Sequence, residues 1–153
     1  MIWYRIDNRL IHGQIIEAWL PYTRATRLVV ANDQLAVDPL RQQIVLLAVP
    51  SRVRTDFTML DSLPALIANY QQKKEDVLVL FANCQDARAA FDLGLNFEKC
   101  NIGNLPYAED KRRICPHIAV SEDDECCLRY LEDHAVILDF RSIPADVPQV
   151  DLW

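Results

Sequence analysis

The polar residues that could do chemistry are concentrated near the start of the chain, between residues 5 and 14. This segment contains Arg5, Asp7, Arg9, His12, Gly13 and Gln14. A histidine ring nitrogen can accept a phosphoryl group when nearby donors hold the phosphoryl oxygens, so this composition favours phosphoryl transfer. Asp7 could orient either Arg9 or the imidazole of His12. Gly13, beside the histidine, is free to adopt unusual backbone angles.

His12 also comes just before a predicted helix, which favours an anion at the same place. The first N–H groups of a helix lack partners within the helix, and the helix dipole attracts negative charge there. In an alternative interpretation, His12 only caps the helix while Arg5 and Arg9 pair with Asp7. The residues alone leave both open. A hydrolase with His12 as general base is disfavoured, because no serine or cysteine stands beside it in this segment.

Asp33 is a further candidate because it ends the second predicted strand. It could orient a side chain of the same crevice, or the pair 32–33 could simply form a turn. His117 and His134 are interpreted as structural histidines. The five cysteines include no CxxC pair and predict free thiols, with neither a metal nor a cofactor.

Length and composition limit the classes of protein to which this chain can belong. The chain has 153 residues, of which 51% are hydrophobic and 25% charged, so it predicts one folded domain over residues 1–153. Only three glycines are present, which excludes most glycine-rich phosphate loops. No apolar run approaches the roughly 18 residues of a membrane span, and no secretory signal is evident. We therefore expect a cytoplasmic protein.

The net charge of −6 argues against a general nucleic-acid binder, whose affinity depends on neutralising phosphates. The charge is uneven along the chain. Residues 1–54 contain seven arginines, no lysine and four acidic residues, which leaves this part at +3 and the remainder at −9. Because a guanidinium binds carboxylate or phosphate in two-point fashion, the arginine-rich part indicates a local anion site, with solvated surface charge as the alternative.

Short apolar runs alternate with helical patterns throughout the chain. Strands are predicted over residues 2–6, 28–31, 53–59, 77–81, 100–102, 114–119 and 135–143, and helices fill most of the intervals. Leu40, Ile44 and Leu47 share one face of the helix that Pro50 ends. This rhythm predicts an α/β domain, in which a mostly parallel sheet is covered by helices on both faces. Ligands of such sheets bind beyond the carboxyl ends of the strands, where residues 5–14 would lie.

The sequence Arg-Ile-Asp-Asn-Arg-Leu-Ile-His-Gly-Gln over residues 5–14, followed by Trp19, closely resembles a family signature. The family is the IIB component of the mannose/fructose/sorbose-type sugar phosphotransferase system (PTS). Weaker similarity continues through residues 29–34, 77–87, 101–104 and 131–144, so the resemblance covers essentially the whole chain. Asn8 and Pro106 depart from the pattern expected of the family.

The resemblance implies a phosphocarrier, a transferase that works through a phosphohistidine and needs no metal. The phosphorylated histidine falls on His12, with the phosphoryl group on Nδ1, and its supporting residues fall on Arg9 and Asp7. Arg5, Gly13 and Gln14 complete the expected phosphate-supporting set.

The implied partners are the IIA component, which donates the phosphoryl group, and the membrane IIC and IID components, which hold the sugar. Association with the membrane would occur only through these partners, and no nucleic acid is involved. A regulatory phosphoacceptor charged by the same cascade is the alternative that the motif cannot separate from a transporter component.

Overall fold

The computed structural model describes residues 1–148, and its centre is a six-stranded parallel sheet. The strands along the chain are β1 (Ile2–Asp7), β2 (Arg27–Ala31), β3 (Arg54–Thr58), β4 (Val77–Phe81), β5 (Lys99–Asn104), β6 (Arg112–Cys115), β7 (Ile118–Val120) and β8 (Ile137–Asp139). The sheet has the order β3-β2-β4-β1-β5-β8. All of its neighbouring strands run parallel. Residues 150–153, a candidate segment for packing on the domain or a partner, lie outside the described residues.

Helical segments connect the strands. After a π-helical turn at Ile15–Trp19 they are α1 (Leu20–Thr23), α2 (Asp33–Ala36), α3 (Pro39–Leu46), a 3-10 turn (Leu60–Ser62), α4 (Leu63–Gln72), α5 (Cys84–Asp92) and α6 (Glu122–Asp133). Side-chain caps explain several of the starts. Asn32, Asp38 and Asn83 each accept a backbone N–H, and Ser121 forms a reciprocal capping box with Asp124. Within residues 1–148 no helix is long and apolar enough to cross a bilayer.

Two apolar clusters cover the two faces of the sheet. One contains side chains of α4, α5 and α6, and the other contains the segment from residue 10 to residue 20 together with α2. Every residue of β2 and β4 is buried as a result, which is the reason their sequences are apolar except for Arg27 at the start of β2. The predicted α/β architecture, a parallel sheet covered on both faces, is confirmed.

Two predicted strands differ from the structure. The single strand expected over residues 114–119 is an antiparallel hairpin of β6 and β7, interrupted at Pro116 and His117, because proline cannot donate to a ladder. The closing strand expected over residues 135–143 is limited to β8. Its continuation ends because the Arg141 N–H donates to Asp139 Oδ1, at 3.2 Å, rather than to a neighbouring strand.

The apolar residues predicted to share one face of α3 do not face the core. Leu40, Ile44 and Leu47 are exposed to 69%, 60% and 87%. The segment instead meets the second cluster through Val45 and Val49, which are partly buried.

Candidate functional site

The segment that follows β1 folds around the buried carboxylate of Asp7. The Arg9 backbone N–H donates to Asp7 Oδ1 at 3.1 Å, and Leu10 takes the left-handed conformation, with φ of 56°. Gly13 does not use its freedom to adopt unusual backbone angles: its φ lies outside the left-handed region, and the strained turn is made at Leu10. Gly13 instead leaves open space, since a Cβ there would meet nothing within 4 Å.

The imidazole of His12 is held by both of its ring nitrogens. Nε2 lies 2.9 Å from Asp7 Oδ2, and the Gln14 backbone N–H donates to Nδ1 at 3.3 Å. A carboxylate can only accept, so Nε2 must carry the proton and Nδ1 must present its lone pair. The side chain of His12 is 17% exposed and that of Asp7 is inaccessible. His12 therefore presents a nitrogen that could act as a nucleophile, on a partly accessible ring whose position Asp7 fixes.

Asp7 keeps its negative charge although it is buried. Burial alone would raise its pKa, but hydrogen bonds from His12 and Arg9 and the positive charge of Arg5 outweigh this cost. Together they hold the pKa of Asp7 well below its usual range. Because these three donors keep Asp7 charged at neutral pH, its carboxylate can only accept from His12. The donors around Asp7 thereby determine the tautomer of His12.

Arg5, one of the residues expected to bind or support phosphate, lies beneath Asp7 and is completely buried. Its Nη2 donates to Asp7 Oδ2 at 2.8 Å and to the Ser142 carbonyl at 3.2 Å, and its Nη1 donates to Asn101 Oδ1. Its guanidinium also stands over the Trp19 ring, 4.8 Å from the centroid. Because the side chain has no access to solvent, Arg5 could influence a group bound at His12 only through Asp7.

Asn101 and Gly103 of β5 complete the Arg5 pocket, and sequence reasoning gave neither residue a role. The Asn101 amide donates to the carbonyls of Asp139 and Arg141 at 2.9 and 3.0 Å, which fixes the oxygen that faces Arg5. A Cβ on Gly103 would lie 1.9 Å from Arg5 Cζ, so only glycine leaves room. An amide and a glycine on either side of Ile102, at the end of a predicted strand, are the signal available in the sequence.

Arg9 forms the outer wall of the site and is 38% exposed. Its Nε and Nη2 donate to the two oxygens of Asp7, both at 3.0 Å, and Nη2 also donates to Gln14 Oε1 at 3.0 Å. These bonds leave Nη1 outside the Asp7 contact. The structure thus brings Asp7, Arg9, His12 and Gln14 into one connected group.

The other sequence candidates hold neighbouring loops. Asp33 accepts the Leu60 N–H at 2.8 Å and so joins the turn after β2 to the turn after β3. The Asn104 amide donates to Asn8 Oδ1 at 2.6 Å, which ties the His12 segment to the end of β5.

The structural interpretation of the remaining histidines is confirmed. Nε2 of His117 lies 2.8 Å from the Phe140 carbonyl, and Nδ1 of His134 lies 2.8 Å from the Tyr130 carbonyl. Across residues 1–148 no three or more His, Cys, Asp or Glu side chains cluster as metal ligands would.

The sequence and the fold of this chain are both similar to those of known proteins. The family model described as the PTS system sorbose subfamily IIB component matches residues 1–152. The fructose-specific EIIB component of Bacillus subtilis (strain 168) is 28% identical over 145 residues, spanning 95% of this chain and 89% of its own. The crystal structure of the IIBSor domain of the sorbose permease from Klebsiella pneumoniae superposes with a TM-score of 0.90 at 28% identity. That match covers 99% of this chain and 94% of the domain.

Proposed function

Because the chain belongs to the PTS sorbose subfamily of IIB components, we propose that His12 is the residue that carries its phosphoryl group. A IIB component of this system is a phosphocarrier, which accepts a phosphoryl group from a IIA component and passes it to a sugar. The observation that supports His12 is its 2.9 Å contact with the buried Asp7, since this contact leaves the Nδ1 lone pair available for attack.

In the accepting step, the Gln14 N–H moves from Nδ1 to a phosphoryl oxygen. The freed Nδ1 lone pair of His12 attacks phosphorus while the bond from phosphorus to the donor nitrogen breaks. The donor imidazole leaves with that electron pair, and the phosphorylated ring of His12, still protonated on Nε2, becomes positively charged. Asp7 stabilises this charge across the 2.9 Å contact. Its role is electrostatic and orienting, because it keeps the ring in one tautomer without taking the proton.

The transferred phosphoryl oxygens are bound on the outer side of the ring. Arg9 offers Nη1, the Gln14 N–H already points at Nδ1, and Gly13 leaves the space that a side chain would fill. These contacts are few and partly exposed, which suits a carrier that must release the group again, because uniformly tight binding would slow the second transfer.

In the donating step, a sugar hydroxyl attacks phosphorus and the bond to Nδ1 breaks, returning the electron pair to His12. The hydroxyl proton passes to solvent water, which the partly exposed ring of His12 can meet, and the ring is again neutral. We propose a IIA phosphohistidine as the donor, with membrane IIC and IID components holding the sugar on the cytoplasmic side. Arg5 takes the part of a positioning residue, since its buried charge holds Asp7 in place.

The experiment that tests this proposal is phosphorylation by a phosphorylated IIA component of this subfamily, read by intact mass and by acid lability. One acid-labile phosphoryl group is expected on the wild type and on His134→Ala, which removes an exposed histidine outside the site. His12→Ala should accept none while still showing a single cooperative urea unfolding transition. Phosphorus NMR should assign the group to Nδ1. Full labelling of His12→Ala, or a group on Nε2, would contradict the proposal.

A further inference from the structure

The loops that lead into β2, β3 and β4 carry a basic cluster at the amino ends of these strands. Backbone hydrogen bonds join the three loops in a row. The Thr26 N–H donates to the Asp76 carbonyl and the Arg54 N–H donates to the Thr26 carbonyl, both at 3.0 Å. His12 follows the carboxyl end of β1, at the other end of the sheet. The exposed cations of the basic cluster are Arg24, Arg52, Arg54, Lys73 and Lys74.

The carboxylates beside the basic cluster are already neutralised by other groups. Arg27 pairs with Asp56 at 2.9 Å and with Glu75 at 2.7 Å. The Met1 ammonium pairs with Asp76 at 2.7 Å. Among the described residues, none forms an ion pair with any cation of the basic cluster. The cluster is therefore uncompensated positive charge on a chain whose net charge is −6.

The helix α3 adds apolar side chains along the same side of the sheet. β3 stands at one end of the sheet, and α3 comes just before the loop that contains Arg52. The segment 39–51 has a single charged residue, Arg41, and no acidic residue. Exposed apolar side chains grouped in this way are typical of an interaction site. The exposed aliphatic residues of this segment are Leu40, Ile44, Leu46 and Leu47.

Cations beside exposed aliphatic side chains fit an anionic lipid surface. Basic side chains are attracted to anionic headgroups, and leucine side chains enter the boundary between headgroups and acyl chains. The cytoplasmic loops of membrane proteins are a poorer partner, because they are themselves rich in lysine and arginine and would repel the basic cluster. A nucleic acid would use the cations but would leave the aliphatic side chains of α3 in water.

We propose that the basic cluster and α3 dock this protein peripherally on the surface of an anionic lipid bilayer. This attachment departs from the expectation that association with the membrane occurs only through partner proteins. Its role in transport rests on the proposed function, because a carrier held at the leaflet is concentrated beside the membrane components that receive its phosphoryl group. Each basic residue strengthens the attachment only about fivefold. Binding is therefore reversible and leaves the carrier free to turn His12 towards either partner.

The test is sedimentation of the full chain with vesicles of phosphatidylcholine alone and with vesicles that also contain phosphatidylglycerol. Binding is expected only to the phosphatidylglycerol vesicles. It should be lost as the salt concentration rises from about 50 to about 300 mM, because exposed charges are screened. His12→Ala should bind these vesicles as the wild type does, which keeps the outcome independent of the proposed phosphoryl site. Absence of binding at low salt, or equal binding to both kinds of vesicle, would overturn the proposal.

The double variant Arg52→Gln with Arg54→Gln tests the basic cluster. Removal of two cations should weaken binding to the phosphatidylglycerol vesicles about 25-fold. Arg112→Gln with Arg113→Gln makes the same change of net charge at exposed positions on β6 and is the matched control, with binding close to that of the wild type. Equal vesicle binding by the two double variants would contradict a role for the cluster.

Leu47→Gln tests the apolar part of the surface. Leu47 is 87% exposed, so the free energy of unfolding should not change while vesicle binding weakens several-fold. Leu93→Gln, at an exposed position that ends α5, is the matched control. Without vesicles, a phosphorylated IIA component should label all these variants at the wild-type rate. Slower labelling of Arg52→Gln with Arg54→Gln would assign the basic cluster to the donor protein and would overturn the proposal.

Discussion

Gly103→Ala is the substitution for which the structure gives the most definite expectation. The new Cβ would stand 1.9, 2.1 and 2.3 Å from the guanidinium carbon and two of its nitrogens in Arg5. Non-bonded carbon atoms need about 3.5–4.0 Å, so the guanidinium must move by roughly 1.5–2 Å. Such a shift lengthens the 2.8 Å contact with Asp7 beyond hydrogen-bond range.

Arg5 cannot absorb this shift cheaply, because Asp7, Asn101, the Ser142 carbonyl and the Trp19 ring surround it. Breaking a buried ion pair typically costs about 3–5 kcal/mol. We therefore expect the free energy of unfolding to fall by about that amount, measured by urea denaturation with the slope unchanged. A loss below about 1 kcal/mol would refute the view that Arg5 is fixed in place.

A double-mutant cycle shows whether the loss of unfolding free energy in Gly103→Ala is caused by the clash with Arg5. Arg5→Met is destabilising by itself, since it leaves Asp7 with fewer donors. In that background Gly103→Ala should cost much less than in the wild type, because the clashing group is gone. Additive losses from the two substitutions would show that Gly103 is required for another reason.

Three further expectations concern the same site. Gly13→Ala should leave the free energy of unfolding equal or raise it by about 0.4–1 kcal/mol, since the new methyl meets nothing within 4 Å. The same substitution should slow phosphoryl acceptance in a labelling time course. Asp33→Ala should lower stability by about 0.5–2 kcal/mol through the lost acceptor for Leu60, with unchanged labelling of His12; slower labelling would place Asp33 in the site. The pKa of Asp7 is lower in the folded than in the unfolded chain, so its stabilisation is complete above about pH 4 and is lost as the pH falls through the folded pKa. The stability gap between wild type and Asp7→Asn should narrow in urea titrations below about pH 4, and a gap that widens in acid would reverse the assigned sign.

The order of elements could be predicted from the sequence because its signals are local. The apolar runs of β2 and β4 and the Ser121 cap are each encoded within a few residues. The hairpin of β6 and β7 was predicted as one strand, because Ile114 and Cys115 at the end of β6 and the residues of β7 are apolar and only Pro116 and His117 mark the break. The early end of β8 depends on side-chain bonds from Asp139, which hydrophobicity does not reveal.

The site was predictable only where its parts lie in one segment. Asp7, Arg9, His12 and Gln14 are neighbours along the chain, and the structure brings them into contact. The support under Arg5 comes from residues more than ninety positions away, namely Asn101, Gly103 and Ser142. Their pairing depends on which strands become neighbours in the sheet, and one sequence does not specify that register.

The Ser142 carbonyl has a consequence for the order of folding. It accepts from Arg5 and, at 3.0 Å, from the Trp19 indole, across 137 and 123 positions of sequence. The segment after β8 must therefore dock on the sheet before Arg5 and Trp19 have all their partners. Long-range docking, which is slower than the formation of local contacts, completes the support beneath Asp7.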